Sequence, residues 1–304
     1  MSDAAQSDTA CRKTAARSSC AGRATVATRR PLARLAVALA LALGVISLVA
    51  PADAGNRAPA IAEIVQAEIR PGWRGENGQR MAALHLHLAD GWRTYWRIPG
   101  SAGIAPRFDW SRSQNLAGVR VHWPRPEIFD QDGYSSIGYG GELVLPLELT
   151  PRDPSRPIAL RGELMIGLCR DICIPADLSV TGPLRGNGAH DPLIAAALQR
   201  GPEPASRAGL RHARCQIRPT ERGAELTLRI GLPRLGGQEH VIIELPGAPY
   251  WVTNGPTRRE GGELVTRATL RAPQGDPVSI SRNQVAFTII AGDRMVEHQG
   301  CSGG

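Results

Sequence analysis

From residue 61 onward the apolar positions alternate with polar ones. Leu84, Leu86 and Leu88 take turns with His85 and His87; Trp92, Thr94 and Trp96 with Arg93, Tyr95 and Arg97. Val119, Val121 and Trp123 repeat the pattern, as do Leu143, Leu145, Leu147 and Leu149. A period of two marks a strand with one face buried. The spacing predicts strands over 61–70, 81–88, 92–97, 119–123, 143–149, 158–168 and 174–180. Pro146 removes a ladder donor, which predicts an edge position for its strand. Residues 181–190 read as a loop. Asp191-Pro192 then opens a single helix over 192–199, with Asp as N-cap and Pro at the first helical position. Gly201-Pro202-Glu203-Pro204 reads as a stiff linker. A second strand set is predicted over 214–218, 224–231, 240–245, 263–271, 277–280 and 285–291. Strands at this spacing, punctuated by turns such as Pro99-Gly100 and Asp132-Gly133, define an all-β chain of two sandwiches, about 100 residues each. The expected organisation is a leader over 1–54, a sandwich over 55–187, a helix and linker over 188–204, and a second sandwich over 205–304.

The leader comes from a different pattern. Arg29, Arg30 and Arg34 precede an uncharged run of 16 residues, Leu35 to Ala50, and Ala52-Asp53-Ala54 supplies a small-x-small cleavage signal before Gly55. Charge, length and cleavage chemistry are those of a secretory signal peptide. The run is shorter than the ~20 residues of a bilayer span, so the expectation is a cleaved leader, an exported protein and no stable membrane insertion after cleavage, with an uncleaved anchor as the competing reading.

Composition adds little against this. The chain of 304 residues is 42% hydrophobic and 21% charged, enough to bury a core. Seven of its 36 basic and three of its 28 acidic residues fall in 1–54, so the net charge of +8 shrinks to +4 in the remainder. Those remaining cations are arginines scattered along the chain, without the basic stripe and interleaved aromatics of a nucleic-acid binder. No partner of that kind is expected.

Export gives the cysteines their meaning. Cys11 and Cys20 lie in the leader, leaving Cys169, Cys173, Cys215 and Cys301. Four cysteines in an oxidising compartment suggest two disulfides, and proximity favours 169–173 and 215–301 among three pairings. Closing a five-residue loop stabilises a fold by roughly 2 kcal/mol, and closing an 87-residue loop by roughly 4–5 kcal/mol. The long bridge suits a structural rivet, and the short one, at a turn between two apolar runs, suits an electron acceptor. Arg170 favours a thiolate there and Asp171 opposes it. A plain structural hairpin disulfide is the competing reading. Zinc is a weaker one, since Cys-x3-Cys has no second clustered pair. The absence of Cys-x-x-Cys-His excludes haem attachment.

Several stretches now add up. Gly91-Trp92-Arg93-Thr94-Tyr95-Trp96, Pro99-Gly100-Ser101-Ala102-Gly103, Trp123-Pro124, Tyr139-Gly140-Gly141-Glu142-Leu143-Val144-Leu145-Pro146 and above all Cys169-Arg170-Asp171-Ile172-Cys173-Ile174-Pro175 resemble the amino-terminal periplasmic domain of the DsbD thiol:disulfide interchange proteins. The likeness covers residues 60–185 and is strongest to the ScsB-type branch. It implies an immunoglobulin-like fold and a cysteine pair that relays electrons from a thioredoxin-like or DsbD-type membrane redox partner to periplasmic disulfide-bearing proteins. Carried over by order in the motif, Cys173 would form mixed disulfides and Cys169 would resolve them; the loop arithmetic leaves Cys215 and Cys301 as the structural disulfide. The family also has a cap loop that shields the pair. Its place here is 129–139, with Tyr134 and Phe129 as candidate caps and core packing as their competing role. No cofactor is implied. The chain lacks the family's multi-span and thioredoxin segments, so the expectation is a standalone domain fed by a separate protein.

Two rivals remain: a non-catalytic periplasmic binding or assembly module with a structural disulfide, and a metal-stress (copper) tolerance protein. For the second, His85-x-His87 puts two imidazoles on one strand face. Two ligands alone are too few, and exposed strand histidines are the default expectation, so no metal site is assigned. Trp92, Trp96, Trp110 and Trp123 read as core packing rather than a binding platform. Asp130 and Asp132 read as a solvated loop face, and Tyr250-Trp251 as core or interface.

Overall fold

The structure, a computed structural model, describes residues 59–304 except 77, 132 and 133. The leader, its cleavage signal and Asp132 lie outside the described residues. The described chain belongs to one compact unit, and none of its helices is long and apolar enough to cross a membrane.

A four-residue helix, α1 (Ile61–Ile64), stands where the strand pattern was read to begin, and the strand follows it as β1 (Val65–Arg74). β1, β2 (Arg80–Leu88), β8 (Glu142–Pro151) and β5 (Leu116–Val121) form one antiparallel sheet in the order β1-β2-β8-β5. The facing sheet runs β10 (Cys173–Leu184), β9 (Ile158–Cys169), β3 (Arg93–Gly100), β7 (Tyr134–Gly140), β6 (Glu127–Gln131), with β4 (Arg107–Asp109) pairing β9. Leu84, Leu86, Leu145 and Leu147 from the first sheet meet Trp96, Leu160, Leu164 and Leu168 from the second in one core. This is an immunoglobulin-like sandwich. Trp92 and Trp96 are buried in that core, and Trp110 and Trp123 pack partly buried against it.

Three local expectations are corrected here. β8 is a central strand, not an edge, despite Pro146. The Pro146 carbonyl accepts from His122 N–H at 2.9 Å just past the last β5 pair, Val121–Leu147. The missing donor therefore faces the end of β5, where the regular pairing stops after Val121 and only one of the two bonds between His122 and Pro146 is made. The expected loop at 181–190 is shorter, because β10 continues to Leu184 in register with Ile158. The segment 129–139 is largely a β-hairpin, β6–β7, rather than a loop.

Helix α2 (Pro192–Gln199) starts as read: the Asp191 carboxylate accepts from the N–H groups of Leu193 and Ile194. Its Ile194 and Ala197 pack on Ala83 and Val144, on the outer face of the first sheet.

The remaining strands build a second pair of sheets. β11 (Glu203–Pro204), β19 (Arg294–Gln299), β18 (Ala286–Ala291) and β14 (Glu239–Glu244) form one. The other holds β15 (Trp251–Asn254), β17 (Glu263–Arg271), β13 (Gly223–Gly231), β12 (His212–Thr220) and β20 (Ser302–Gly303), with β16 (Arg258–Glu260) on β17. The Gly-Pro segment read as a linker is partly β11, anchored by Arg294 on Glu203 at 2.6 Å. Residues 277–280 are not a strand: Val278 and Ile280 pack on the core, while Ser279 is held by the Tyr250 hydroxyl. Trp251 is 65% exposed on β15.

The two sandwiches are bolted together at Arg97 of β3. Its guanidinium donates to Glu244 at 3.0 and 2.8 Å, to Glu297 at 2.6 Å and to Thr288 at 3.1 Å. Burial alone would lower its pKa, but the two carboxylates win and raise it. Ile242, Ile290 and Met295 of the second sandwich extend the first sandwich's core.

Candidate functional site

β9 and β10 pair over twelve consecutive positions, from Ile158–Leu184 to Cys169–Cys173, without a register shift. The apolar alternation on both strands enforces this, because a one-residue slip would turn every buried side chain outward. Cys169 and Cys173 end up directly opposed at the tip, their Cα atoms 4.1 Å apart, joined in a disulfide. Arg170-Asp171-Ile172 closes the hairpin. Cys173 is exposed, Cys169 half-buried, and Ile172 is 62% exposed, an apolar residue standing in solvent beside the sulfurs.

β3 supplies the floor. Arg93 pairs with Cys169 and Thr94 with Leu168, and the Thr94 hydroxyl donates to the Gly167 carbonyl at 2.9 Å. Next in line, Tyr95 is 4% exposed, and its hydroxyl donates to Cys173 Sγ at 3.1 Å. That reach depends on Gly167. A Cβ there would lie 2.6 Å from Tyr95 Cδ2 and 2.7 Å from Ile104 Cβ, so only glycine leaves space for the phenol ring. Burial pushes the Tyr95 hydroxyl above its ordinary pKa, keeping it a protonated donor through neutral pH.

The β6–β7 hairpin forms one wall. Phe129 lines a small pocket with Arg93, Thr94, Tyr95, Ser136, Cys169 and Arg170. The Arg93 guanidinium lies 4.0 Å from the Phe129 ring centre, which holds the hairpin toward β3. Of the two candidate caps, Phe129 is thus brought to the cysteines. Tyr134 pairs through its backbone with Gln131 at the hairpin turn. Arg170 lies across Trp92 at 5.1 Å and pairs with Asp171 at 3.0 Å, so each ionic neighbour of the sulfurs offsets the other.

The other two cysteines are also bonded to each other. Cys215, buried on β12, and Cys301, just before β20, have Cα atoms 5.7 Å apart. His85 departs from expectation: it is only 3% exposed, held between Glu68 and Glu142. His87 is exposed, as expected.

The site is thus an exposed disulfide at the end of an immunoglobulin-like sandwich, floored by a buried tyrosine and flanked by an aromatic hairpin. Residues 62–183 match the family described as thiol:disulfide interchange protein DsbD, N-terminal, and form a domain of that type. No curated protein matches the chain. Among solved structures the fold is similar to the crystal structure of the N-terminal periplasmic domain of ScsB from Proteus mirabilis, with 22% identity and a TM-score of 0.57. That match covers 79% of this chain and 92% of the other, so the likeness in fold runs well beyond the family-matched stretch.

Proposed function

We propose that this chain is a periplasmic thiol:disulfide interchange protein that relays two electrons through Cys169 and Cys173. The observation that carries the reading is the Tyr95 hydroxyl aimed at the sulfur of exposed Cys173. In the reduced protein, Cys173 thiolate attacks a substrate disulfide. A Cys173–substrate bond forms, and the far substrate sulfur leaves as a thiolate. Cys169 thiolate then attacks Cys173 Sγ, closing the 169–173 disulfide and releasing the second substrate thiolate. The substrate gains two electrons, and two protons from solvent complete its thiols. Recharging runs in reverse, with a thioredoxin-like donor as the attacking thiolate. The Tyr95 hydroxyl supports attack because a donated hydrogen bond favours the charged form of the acceptor. Phe129, which lines the pocket on the Cys169 side of the pair, would serve as the cap, and exposed Ile172 offers an apolar foothold to the partner.

The test uses oxidised protein mixed with a reduced thioredoxin-like protein, followed by alkylation and peptide mapping. Cys169 and Cys173 should become alkylated while Cys215–Cys301 stays closed. The Cys169→Ala variant should hold the partner in a mixed disulfide through Cys173. A 169–173 bridge that stays shut under these conditions leaves only a structural hairpin disulfide.

A further inference from the structure

The outer face of the first sheet carries a second group of chemistry-bearing residues. His85 and His87 lie two apart on β2 and point to the same face. β2 runs between β1 and β8, and the register sets Glu68 opposite His85 on one side and Glu142 opposite His87 on the other. His85 Nδ1 is 3.1 Å from Glu68 Oε1, and His85 Nε2 is 2.7 Å from Glu142 Oε1. The two imidazole rings are 4.1 Å apart. One ligand atom each from His85, His87 and Glu142 falls within 4.8 Å of the others.

We infer that this cluster is a binding site for one divalent first-row transition ion of the Zn²⁺ or Cu²⁺ class. Donor counting is the first argument. A neutral imidazole carries one N–H, yet both His85 ring nitrogens face carboxylate oxygens. With one nitrogen donating, the lone pair of the other faces a carboxylate oxygen, an arrangement that a metal ion shared by the two would satisfy. The second argument is the donor set. Two imidazoles and a carboxylate match the ligand preferences of zinc and copper, not those of calcium or magnesium. The third is the outer shell. With Nε2 on the ion, Nδ1–H donates to Glu68, the carboxylate–histidine arrangement that fixes ring orientation in metal sites. Ion-to-ligand distances of about 2.0–2.2 Å require small adjustments of His87 and Glu142, both of which are exposed. His85 is the fixed member, with Val144 opposite it on β8 and Ala83, under α2, two residues before it.

The experiment titrates Zn²⁺ into the full exported chain, with both disulfides closed and no affinity tag, so that neither thiols nor added histidines can bind. Calorimetry should show one ion per chain, and the imidazole resonances of His85 and His87 should shift with the same saturation curve. His87→Ala and Glu142→Gln, both at exposed positions, should each weaken binding by at least about tenfold, and Glu68→Gln by about tenfold through the ring. Glu63→Gln in α1 should bind like the parent. No saturable uptake below about 1 mM Zn²⁺, or uptake unchanged by both His87→Ala and Glu142→Gln, overturns the site.

Discussion

At the scale of single residues, Tyr95 and Asp191 each bring a side-chain oxygen to one defined partner group. The Tyr95 phenol is buried, carries a raised pKa and ends on Cys173 Sγ. Replacing it by Phe removes only the donor. Hydrogen bonds to charged acceptors are worth about 1.5–3 kcal/mol, so Tyr95→Phe should slow alkylation of reduced Cys173 at neutral pH by roughly tenfold. The Cys215–Cys301 bridge should not respond, and mass-resolved alkylation kinetics would check both points. Asp191 caps α2 and receives Arg70 Nε at 2.6 Å. Burial alone would raise its pKa, but the Ile194 N–H and Arg70 outweigh burial and lower it. A lowered carboxylate pKa contributes stability that is present above the unfolded value and lost as pH falls through the folded one. Asp191→Ala should therefore cost about 1–2 kcal/mol at neutral pH and progressively less in acid, read as converging urea midpoints of the two proteins.

Elements explain what the sequence could and could not disclose. The long alternating strands β2, β8, β9, β10, β13 and β17 were legible because each buries one continuous face. The Asp191-Pro192 helix start was legible because its chemistry is local. β6 and β7 were not: Tyr134-Ser135-Ser136-Ile137-Gly138-Tyr139-Gly140 has little apolar alternation. Its strand form comes from pairing with β3, where a side chain at Gly138 would collide with the Thr94 carbonyl. Pro146 misled because a central strand tolerates one missing donor at the point where its neighbour β5 ends. The cysteine hairpin could be read from five residues, but its floor could not. Tyr95 lies 78 residues before Cys173, and only the register of β3 on β9 joins them. Glu142 escaped in the same way, 57 residues from His85 until β2 and β8 pair.

For the whole molecule, the binding of one sandwich to the other rests on a charge network as well as on apolar packing. Glu244 is buried and Arg97 half-buried, so losing one partner strands the other's charge. Arg97→Met should cost about 3 kcal/mol, and the Arg97→Met/Glu244→Gln pair should recover part of that. Denaturant unfolding of the cycle would measure the coupling, and additive losses would show that the two side chains act separately. Arg97 and Tyr95 also share β3, so the strand that anchors the second sandwich carries the phenol under the sulfurs.

The hairpin that ends in Cys169 and Cys173 has no bulge anywhere along its length. A platform of this kind cannot swing outward like a tether. In the proposed exchange, shape matching at the tip then falls to the incoming molecule, which meets the exposed Ile172 side chain beside Cys173.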